Sequence, residues 1–155
     1  MIHNIKFKHE KKAALDLGYL IGNKLYAEAE WIKDIDLILP VPLHKYRKYS
    51  RGYNQSEELS RGLNHSFNKE IDITSVIRHK RRKPQVKTSS YDERWENTKD
   101  LFHVVAPEKL EGKHILIVDD VVTTGATTIS LIETIKAAAA DVKISVLALS
   151  STRKS

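Results

Sequence analysis

The stretch Ile115-Leu-Ile-Val-Asp-Asp-Val-Val-Thr-Thr-Gly-Ala-Thr127 decides the fold. Its four opening apolar residues, Ile115–Val118, predict a strand, and a polar turn, Asp119–Gly125, leads into a helix that runs to about Ala140. A continuous apolar run of this length is typical of a strand that is buried on both faces of a parallel sheet. Ligands of open α/β sheets bind at the carboxyl ends of such strands. The stretch therefore predicts both the fold class and the position of a binding site.

The acidic pair and the turn that follows it predict a site for a ribose 5-phosphate. A helix N-terminus offers free N–H groups and the positive end of the helix dipole to a phosphate. Gly125 allows the backbone to approach that phosphate closely, and the threonine hydroxyls add donors. The carboxylates of Asp119 and Asp120 can accept hydrogen bonds from sugar hydroxyls or coordinate Mg²⁺.

Two other interpretations fit the same residues less well. An acidic pair before a glycine turn can be a plain connection from strand to helix with a capping aspartate. A similar stretch opens the receiver domains of response regulators. Since the chain ends at residue 155, only 35 residues follow Asp120, which is too few for a receiver domain.

The hydrophobic pattern elsewhere predicts helices that alternate with strands. The predicted helices run from Lys8 to about Glu30 and from Asn54 to about Phe67, and the predicted strands are Ile35–Val41, Ile71–Ile77, Leu101–Val105 and Val142–Leu149. An apolar stripe of the first helix has helical spacing and is expected to face the core. Its members are Ala13, Leu17, Leu20, Ile21 and Leu25. The alternation predicts one α/β domain over residues 1–155, with a mostly parallel central sheet flanked by helices.

Composition narrows the class of protein. With 26 basic and 20 acidic residues the net charge is +6, which suits the phosphates of a nucleic acid, a nucleotide or a sugar phosphate and equally fits a solvated basic surface. The absence of cysteine excludes disulfide scaffolds, thiolate zinc sites and cysteine nucleophiles. No apolar run approaches the ~20 residues that cross a membrane, and the polar N-terminus is unlike a signal peptide, so we expect a cytoplasmic protein. The seven histidines show no metal-ligand spacing.

The stretch Ile115–Thr127 resembles the phosphoribosyl-pyrophosphate (PRPP) motif of type I phosphoribosyltransferases. The resemblance implies the type I phosphoribosyltransferase fold and Mg²⁺ as the cofactor that accompanies PRPP. It also implies that Asp119 and Asp120 are the catalytic carboxylates, which hold the ribose 2′ and 3′ hydroxyls. The residues implied to wrap the 5-phosphate are Thr123, Thr124, Gly125, Ala126 and Thr127.

Further segments are similar to the ComF family of competence-associated, phosphoribosyltransferase-like proteins, from about Ile5 to Leu149. The matching segments are Pro40–Leu43, Arg51–Gln55, Pro84–Gln85, Arg94, Asn97 and Phe102. In that family the loop after the first core strand faces the pyrophosphate, which makes Arg47 and Arg51 the expected pyrophosphate contacts. The segment of about Lys80–Lys99 corresponds to the flexible loop that closes over the site, and its matching residues are Gln85, Arg94 and Asn97. The cysteine-bearing zinc module common at the N-terminus of the family is absent from this sequence.

Two classes of function follow from the resemblance. The first is an enzyme that binds PRPP and Mg²⁺ and transfers phosphoribose to an acceptor, which the sequence does not identify. The second is a non-catalytic module of the DNA-uptake machinery that senses PRPP or binds single-stranded DNA. A homodimer would be common for the fold.

Basic and aromatic residues leave the choice between these classes open. The run Arg78–Lys83 fits a solvated loop, a pyrophosphate contact or a nucleic-acid patch. Tyr46, Tyr49 and Tyr53 interleave with basic residues, a pattern that can stack on bases. Packing of the loop against the core is the favoured role of these tyrosines.

Overall fold

The computed structural model describes residues 2–43, 49–50, 52–79, 101–122 and 125–151. The helices are α1 (Ile2–Glu28), α2 (Gln55–Phe67) and α3 (Ala126–Ala138). The strands are β1 (Leu37–Pro40), β2 (Glu70–Ile71), β3 (Val76–Arg78), β4 (Phe102–Val104), β5 (His114–Val122) and β6 (Lys143–Ser151). Short 3₁₀ turns span Glu30–Asp34 and Pro107–Lys109.

The central sheet has four strands in the order β2-β1-β5-β6, and every neighbouring pair is parallel. In the middle of the sheet Leu37 lies opposite Ile115, and Pro40 lies opposite Val118. Parallel neighbours cannot be joined by a tight turn, so α2 connects β1 to β2 and α3 connects β5 to β6. The predicted α/β fold with a parallel sheet flanked by helices is confirmed.

Successive residues of the two central strands enter two different cores. Leu39 and Ile117 pack into a cluster that contains Leu131 of α3. Their chain neighbours Ile38 and Leu116 pack into the cluster that contains residues of α2. This alternation explains why both segments are apolar without interruption: neither face of the sheet meets water here.

Helix α1 packs against α2 through glycine. A Cβ atom added to Gly18 would overlap the carbonyl oxygen of Leu59, and one added to Gly62 would overlap that of Leu15. The two backbones therefore approach too closely for any side chain at these positions.

This glycine contact turns part of the predicted stripe away from the core. Ala13, Leu17 and Leu20 are all exposed, the two leucines by 41% and 65%, so the prediction that these three residues face the core is wrong. Ile21 and Leu25 do pack against the core cluster on the α2 side of the sheet. The helix also begins at Ile2, before the predicted start at Lys8.

The predicted single strand Ile71–Ile77 is also wrong, because a turn divides it. The Asp72 carboxylate accepts hydrogen bonds from the backbone N–H groups of Thr74 and Ser75, at 2.8 and 2.9 Å. Such local hydrogen bonds compete with strand pairing. The first part, β2, joins the central sheet, whereas β3 pairs antiparallel with β4 in a separate two-stranded ribbon.

None of the helices within the described ranges is both long enough and apolar enough to span a bilayer.

The α1–α2 contact generates a stability prediction. Alanine at position 62 improves helix propensity by about 1 kcal/mol but must displace the backbone of α1, where overpacking typically costs about 1–3 kcal/mol or more. We expect the overlap to dominate, so that Gly62→Ala lowers the free energy of unfolding by roughly 2 kcal/mol, measured by urea denaturation. Ala13→Gly, on the exposed side of α1, is the control and should cost only about 1 kcal/mol. A Gly62→Ala variant more stable than the parent would contradict the close contact.

Candidate functional site

A cavity of about 200 Å³ opens at the carboxyl ends of β1 and β5. It is lined by the residues after β1, the start of α2, the end of β5, the start of α3 and one residue of β3. These residues are Val41, Pro42, Leu43, Asn54, Gln55, Ser56, Arg78, Asp119, Asp120, Val121, Val122, Gly125, Ala126, Thr127 and Thr128. The cavity lies where ligands bind in open α/β sheets.

The acidic pair lies within β5 and not in the predicted polar turn. The strand continues to Val122, and Asp119 is paired with Ala148 of β6. Since side chains of a strand alternate between its faces, the two carboxylates have different surroundings. Asp119 is only 8% exposed, whereas Asp120 is half-buried.

Two donors hold the buried carboxylate. The backbone N–H of Asp120 donates to Oδ1 of Asp119 at 2.9 Å, and the Thr128 hydroxyl donates to Oδ2 at 3.3 Å. Burial, followed by the neighbouring Asp120 side chain, raises the pKa of Asp119 to about 6. The two hydrogen bonds partly offset this rise.

Helix α3 begins beside these carboxylates. Gly125, at φ 77°, occupies its N-cap position, and the next three residues line the cavity. The first turn of a helix presents backbone N–H groups that suit an anion. The structure thus places Gly125, Ala126 and Thr127 next to the acidic pair, while the predicted Thr123 and Thr124 lie outside the described residues.

The opposite wall comes from the start of α2. The Asn54 amide donates to the carbonyl oxygen of Val41 at 3.0 Å, and its side-chain oxygen accepts the Ser56 N–H at 3.1 Å. Asn54 thereby ties the end of β1 to the start of α2. The hydrophobic pattern predicts a helix from Asn54 but does not predict that Asn54 lines the cavity.

Thr128 also lines the cavity and was absent from the predicted site. Arg78 lines the cavity too, and for its basic run a pyrophosphate contact was one of three interpretations. The Arg78 guanidinium lies 5.5 Å from the centre of the Phe102 ring, a cation–π contact across the β3–β4 ribbon. Thr128 comes directly after the predicted 5-phosphate residues, and its hydroxyl is a further donor that the sequence shows at this point. Arg78 opens the basic run, and only the tertiary structure shows that it reaches the cavity.

Several predicted contacts fall outside the described residues. They are Arg47, Arg51, Gln85, Arg94 and Asn97, together with Tyr46 and the whole of the predicted flexible loop, about Lys80–Lys99. Of the other tyrosines, Tyr53 is buried and donates to Glu10 at 3.3 Å, as the packing interpretation predicts. Tyr49 is 92% exposed, so for Tyr49 that interpretation is wrong.

The cavity offers part of a metal site. Within the described ranges no group of three or more histidine, aspartate or glutamate side chains could hold a metal ion by itself. Mg²⁺, however, usually takes one or two protein carboxylates and completes its shell with water and substrate phosphates. Asp119 and Asp120 fit that mode of binding.

Comparison with known proteins agrees with this geometry. A family model described as a phosphoribosyl transferase domain matches residues 38–155. DNA utilization protein YhgH of Escherichia coli O157:H7 is 33% identical over 129 residues, which are 82% of this chain and 56% of that protein. Competence protein F of Haemophilus influenzae is 30% identical over 93 residues, which are 59% of this chain and 40% of that protein. The chain spans about half the length of the curated relatives it matches, and the predicted ComF resemblance is confirmed.

Solved structures show the same fold at low identity. An allosteric regulatory enzyme of purine biosynthesis superimposes with a TM-score of 0.56 at 18% identity, over 88% of this chain and 25% of that one. A hypoxanthine phosphoribosyltransferase from Staphylococcus aureus superimposes with a TM-score of 0.53 at 15% identity, over 92% of this chain and 65% of that one. Together with the family match, these likenesses confirm the type I phosphoribosyltransferase fold. The chain belongs to the phosphoribosyl transferase domain family.

Proposed function

We propose that this domain binds PRPP together with Mg²⁺ and transfers the phosphoribosyl group to an acceptor. One observation carries the proposal: the acidic pair of β5 and the first turn of α3 line the same cavity at the carboxyl ends of parallel strands. A sugar phosphate matches both features, because its phosphate needs N–H donors and its hydroxyls need acceptors.

The proposed ligand lies across the end of β5. Its 5-phosphate accepts hydrogen bonds at the start of α3, where Gly125, Ala126 and Thr127 line the cavity. Its ribose hydroxyls donate to Asp119 and Asp120. Thr128 contributes indirectly, since its hydroxyl holds the Asp119 carboxylate in place.

The transfer replaces one bond to the ribose anomeric carbon by another. The bond to pyrophosphate breaks and pyrophosphate leaves with the electron pair, while a lone pair of the acceptor forms the new bond and the acceptor loses a proton. Positive charge develops on the ribose, so the fixed carboxylates of Asp119 and Asp120 stabilise the transition state. Arg78 is the cation that lines the described part of the cavity, and Arg47 and Arg51 are proposed to join it at the pyrophosphate.

The proposed role of Mg²⁺ is electrostatic. When bound, the ion neutralises the negative charge that collects on the leaving pyrophosphate. Asp119 and Asp120 are the side chains that would hold it, together with oxygens of the substrate.

Calorimetric titration of PRPP in the presence of Mg²⁺ tests the proposal. Loss of a charged acceptor for a sugar hydroxyl typically costs about 1.5–3 kcal/mol, so we expect Asp120→Asn to bind roughly 10- to 100-fold more weakly than the parent chain. The exposed carboxylate of Asp141 supplies the control, and Asp141→Asn should bind as the parent does. Absence of binding to the parent chain, or equal binding by Asp120→Asn, would refute the assignment.

The raised pKa of Asp119 generates a separate prediction about stability. Its pKa is about 6 in the folded chain but about 3.9 when unfolded, so between these values the folded state binds more protons. The free energy of unfolding that this group contributes is present below about pH 4 and is lost as the pH rises to about 6. Because the asparagine side chain does not titrate, Asp119→Asn should not show this loss of stability with rising pH.

Urea denaturation at about pH 4 and about pH 7.5 measures this effect. From the lower to the higher pH, the free energy of unfolding of Asp119→Asn should rise by up to about 3 kcal/mol relative to that of the parent. Asp141→Asn should follow the parent at both. Parallel pH profiles for the parent and Asp119→Asn would show that the carboxyl is not perturbed by burial.

The names of the relatives favour a second candidate function, in which the domain acts in DNA handling and contacts single-stranded DNA. The curated relatives are called a DNA utilization protein and a competence protein. Exposed His103 of β4 and exposed His79, directly after β3, have ring centres 5.7 Å apart and offer surfaces on which bases can stack. The last four residues of the basic run Arg78–Lys83 are Lys80-Arg-Arg-Lys83, and they lie outside the described ranges.

Fluorescence anisotropy with a labelled single-stranded oligonucleotide tests this second candidate. Binding should weaken steeply with salt, and replacing Lys80, Arg81, Arg82 and Lys83 by glutamine should reduce both the affinity and the slope of that salt dependence. The same substitutions at Lys109, Lys113, Lys136 and Lys143, outside the basic run, are the control and should have a smaller effect. Equal losses in the two variants would indicate only a general attraction to the net positive chain.

A further inference from the structure

A cation lies on the inward face of the β3–β4 ribbon. In this ribbon Val76 lies opposite Val104, and Arg78 lies opposite Phe102. Val76, Phe102 and Val104 are buried in one core cluster, and Arg78 beside them is half-buried. Residues directly opposite each other in a strand pair lie on the same face of it. Arg78 therefore belongs to the face of the ribbon that covers the core.

One partner of Arg78 is an aromatic ring. The guanidinium carbon lies over the ring of Phe102, 5.5 Å from its centre, within the range of a cation–π interaction. The ring is itself buried in close-packed surroundings, so its position is fixed. A guanidinium that rests on an aromatic face keeps its positive charge, and its N–H donors point outward along its own plane. A carboxylate in place of the ring would instead neutralise that charge.

Arg78 lies on the side of the site that is away from α3. A second cavity, of about 210 Å³, adjoins the first and shares Pro42, Leu43 and Arg78 with it. Among the described residues of α3 and the acidic pair, none lines this second cavity. Arg78 is thus grouped with the residues that follow β1, whereas the proposed 5-phosphate site lies at the start of α3. Two anionic groups of one ligand would meet two different walls of the site.

We propose that Phe102 is a positioning residue that acts through Arg78 and makes the site prefer a sugar phosphate with a pyrophosphate group over one that has only the 5-phosphate. The inference rests on the proposed function, because it takes the 5-phosphate to bind at α3. The carboxylates of Asp119 and Asp120 repel a pyrophosphate, so its binding needs a cation that is already in place. A guanidinium fixed before the ligand arrives also loses less freedom on binding.

A double-mutant cycle tests the positioning role. PRPP with Mg²⁺ is titrated calorimetrically into the parent, Phe102→Leu, Arg78→Gln and the double variant. Loss of the ring should weaken binding roughly 3- to 10-fold, and loss of the guanidinium roughly 10- to 100-fold. Because the ring acts through the guanidinium, the double variant should bind no more weakly than Arg78→Gln. A merely structural role of Phe102 would give losses that add.

Ribose 5-phosphate supplies the second readout, since it has no pyrophosphate for Arg78 to bind. All four chains should bind it with the affinity of the parent. Val104→Ala is the matched control, because Val104 is buried on the same face of β4 but lies opposite Val76. This variant should be less stable in urea, as a large-to-small change in a core is, and yet bind both ligands as the parent does.

The outcomes separate this inference from the proposed function. Unchanged PRPP affinity of Phe102→Leu, additive losses in the cycle, or an equal loss of ribose 5-phosphate affinity would overturn the positioning role alone. An equal loss of PRPP affinity in Val104→Ala would overturn it as well. A parent chain that binds neither ligand would overturn both the positioning role and the proposed function.

Discussion

The rest of the candidate site depends on a single buried carboxylate at the end of a parallel strand. Removing a carboxylate from water is costly unless donors replace the lost water. For Asp119 those donors are the next backbone N–H and the hydroxyl of Thr128. Thr128 can reach it because α3 begins only a few residues after β5, beside the acidic pair. The hydrogen bond from Thr128 thus links the buried carboxylate to the first turn of the helix where the proposed phosphate binds.

The sheet supplies the rigidity that this arrangement needs. The central strands are buried on both faces, and close packing there leaves little room for displacement. Asn54 attaches the opposite wall of the cavity to the same sheet, because its side chain joins the carbonyl oxygen of Val41 to the first turn of α2. Two helix starts are therefore held to one sheet, which is the kind of support that fixed electrostatic stabilisation requires.

The parts that the sequence predicts are those encoded in short segments. The apolar run before Asp119 predicts a doubly buried strand, and the cores on both faces confirm it. The outward turn of Leu20 could not be read from periodicity, since a pair of close helix backbones at Gly18 and Gly62 decides which side of α1 is buried. Likewise Arg78 reaches the cavity through the pairing of β3 with a distant strand, a contact that no local pattern encodes.

The outer strand β6 and the site are close enough to influence each other. Asp119 is paired with Ala148, so a single strand separates the buried carboxylate from the edge of the sheet. A strand that is paired on one side opens more readily than a strand that is paired on both sides, and such local opening exposes the groups beside it. Opening of β6 would admit water next to Asp119 and remove the burial that perturbs its pKa.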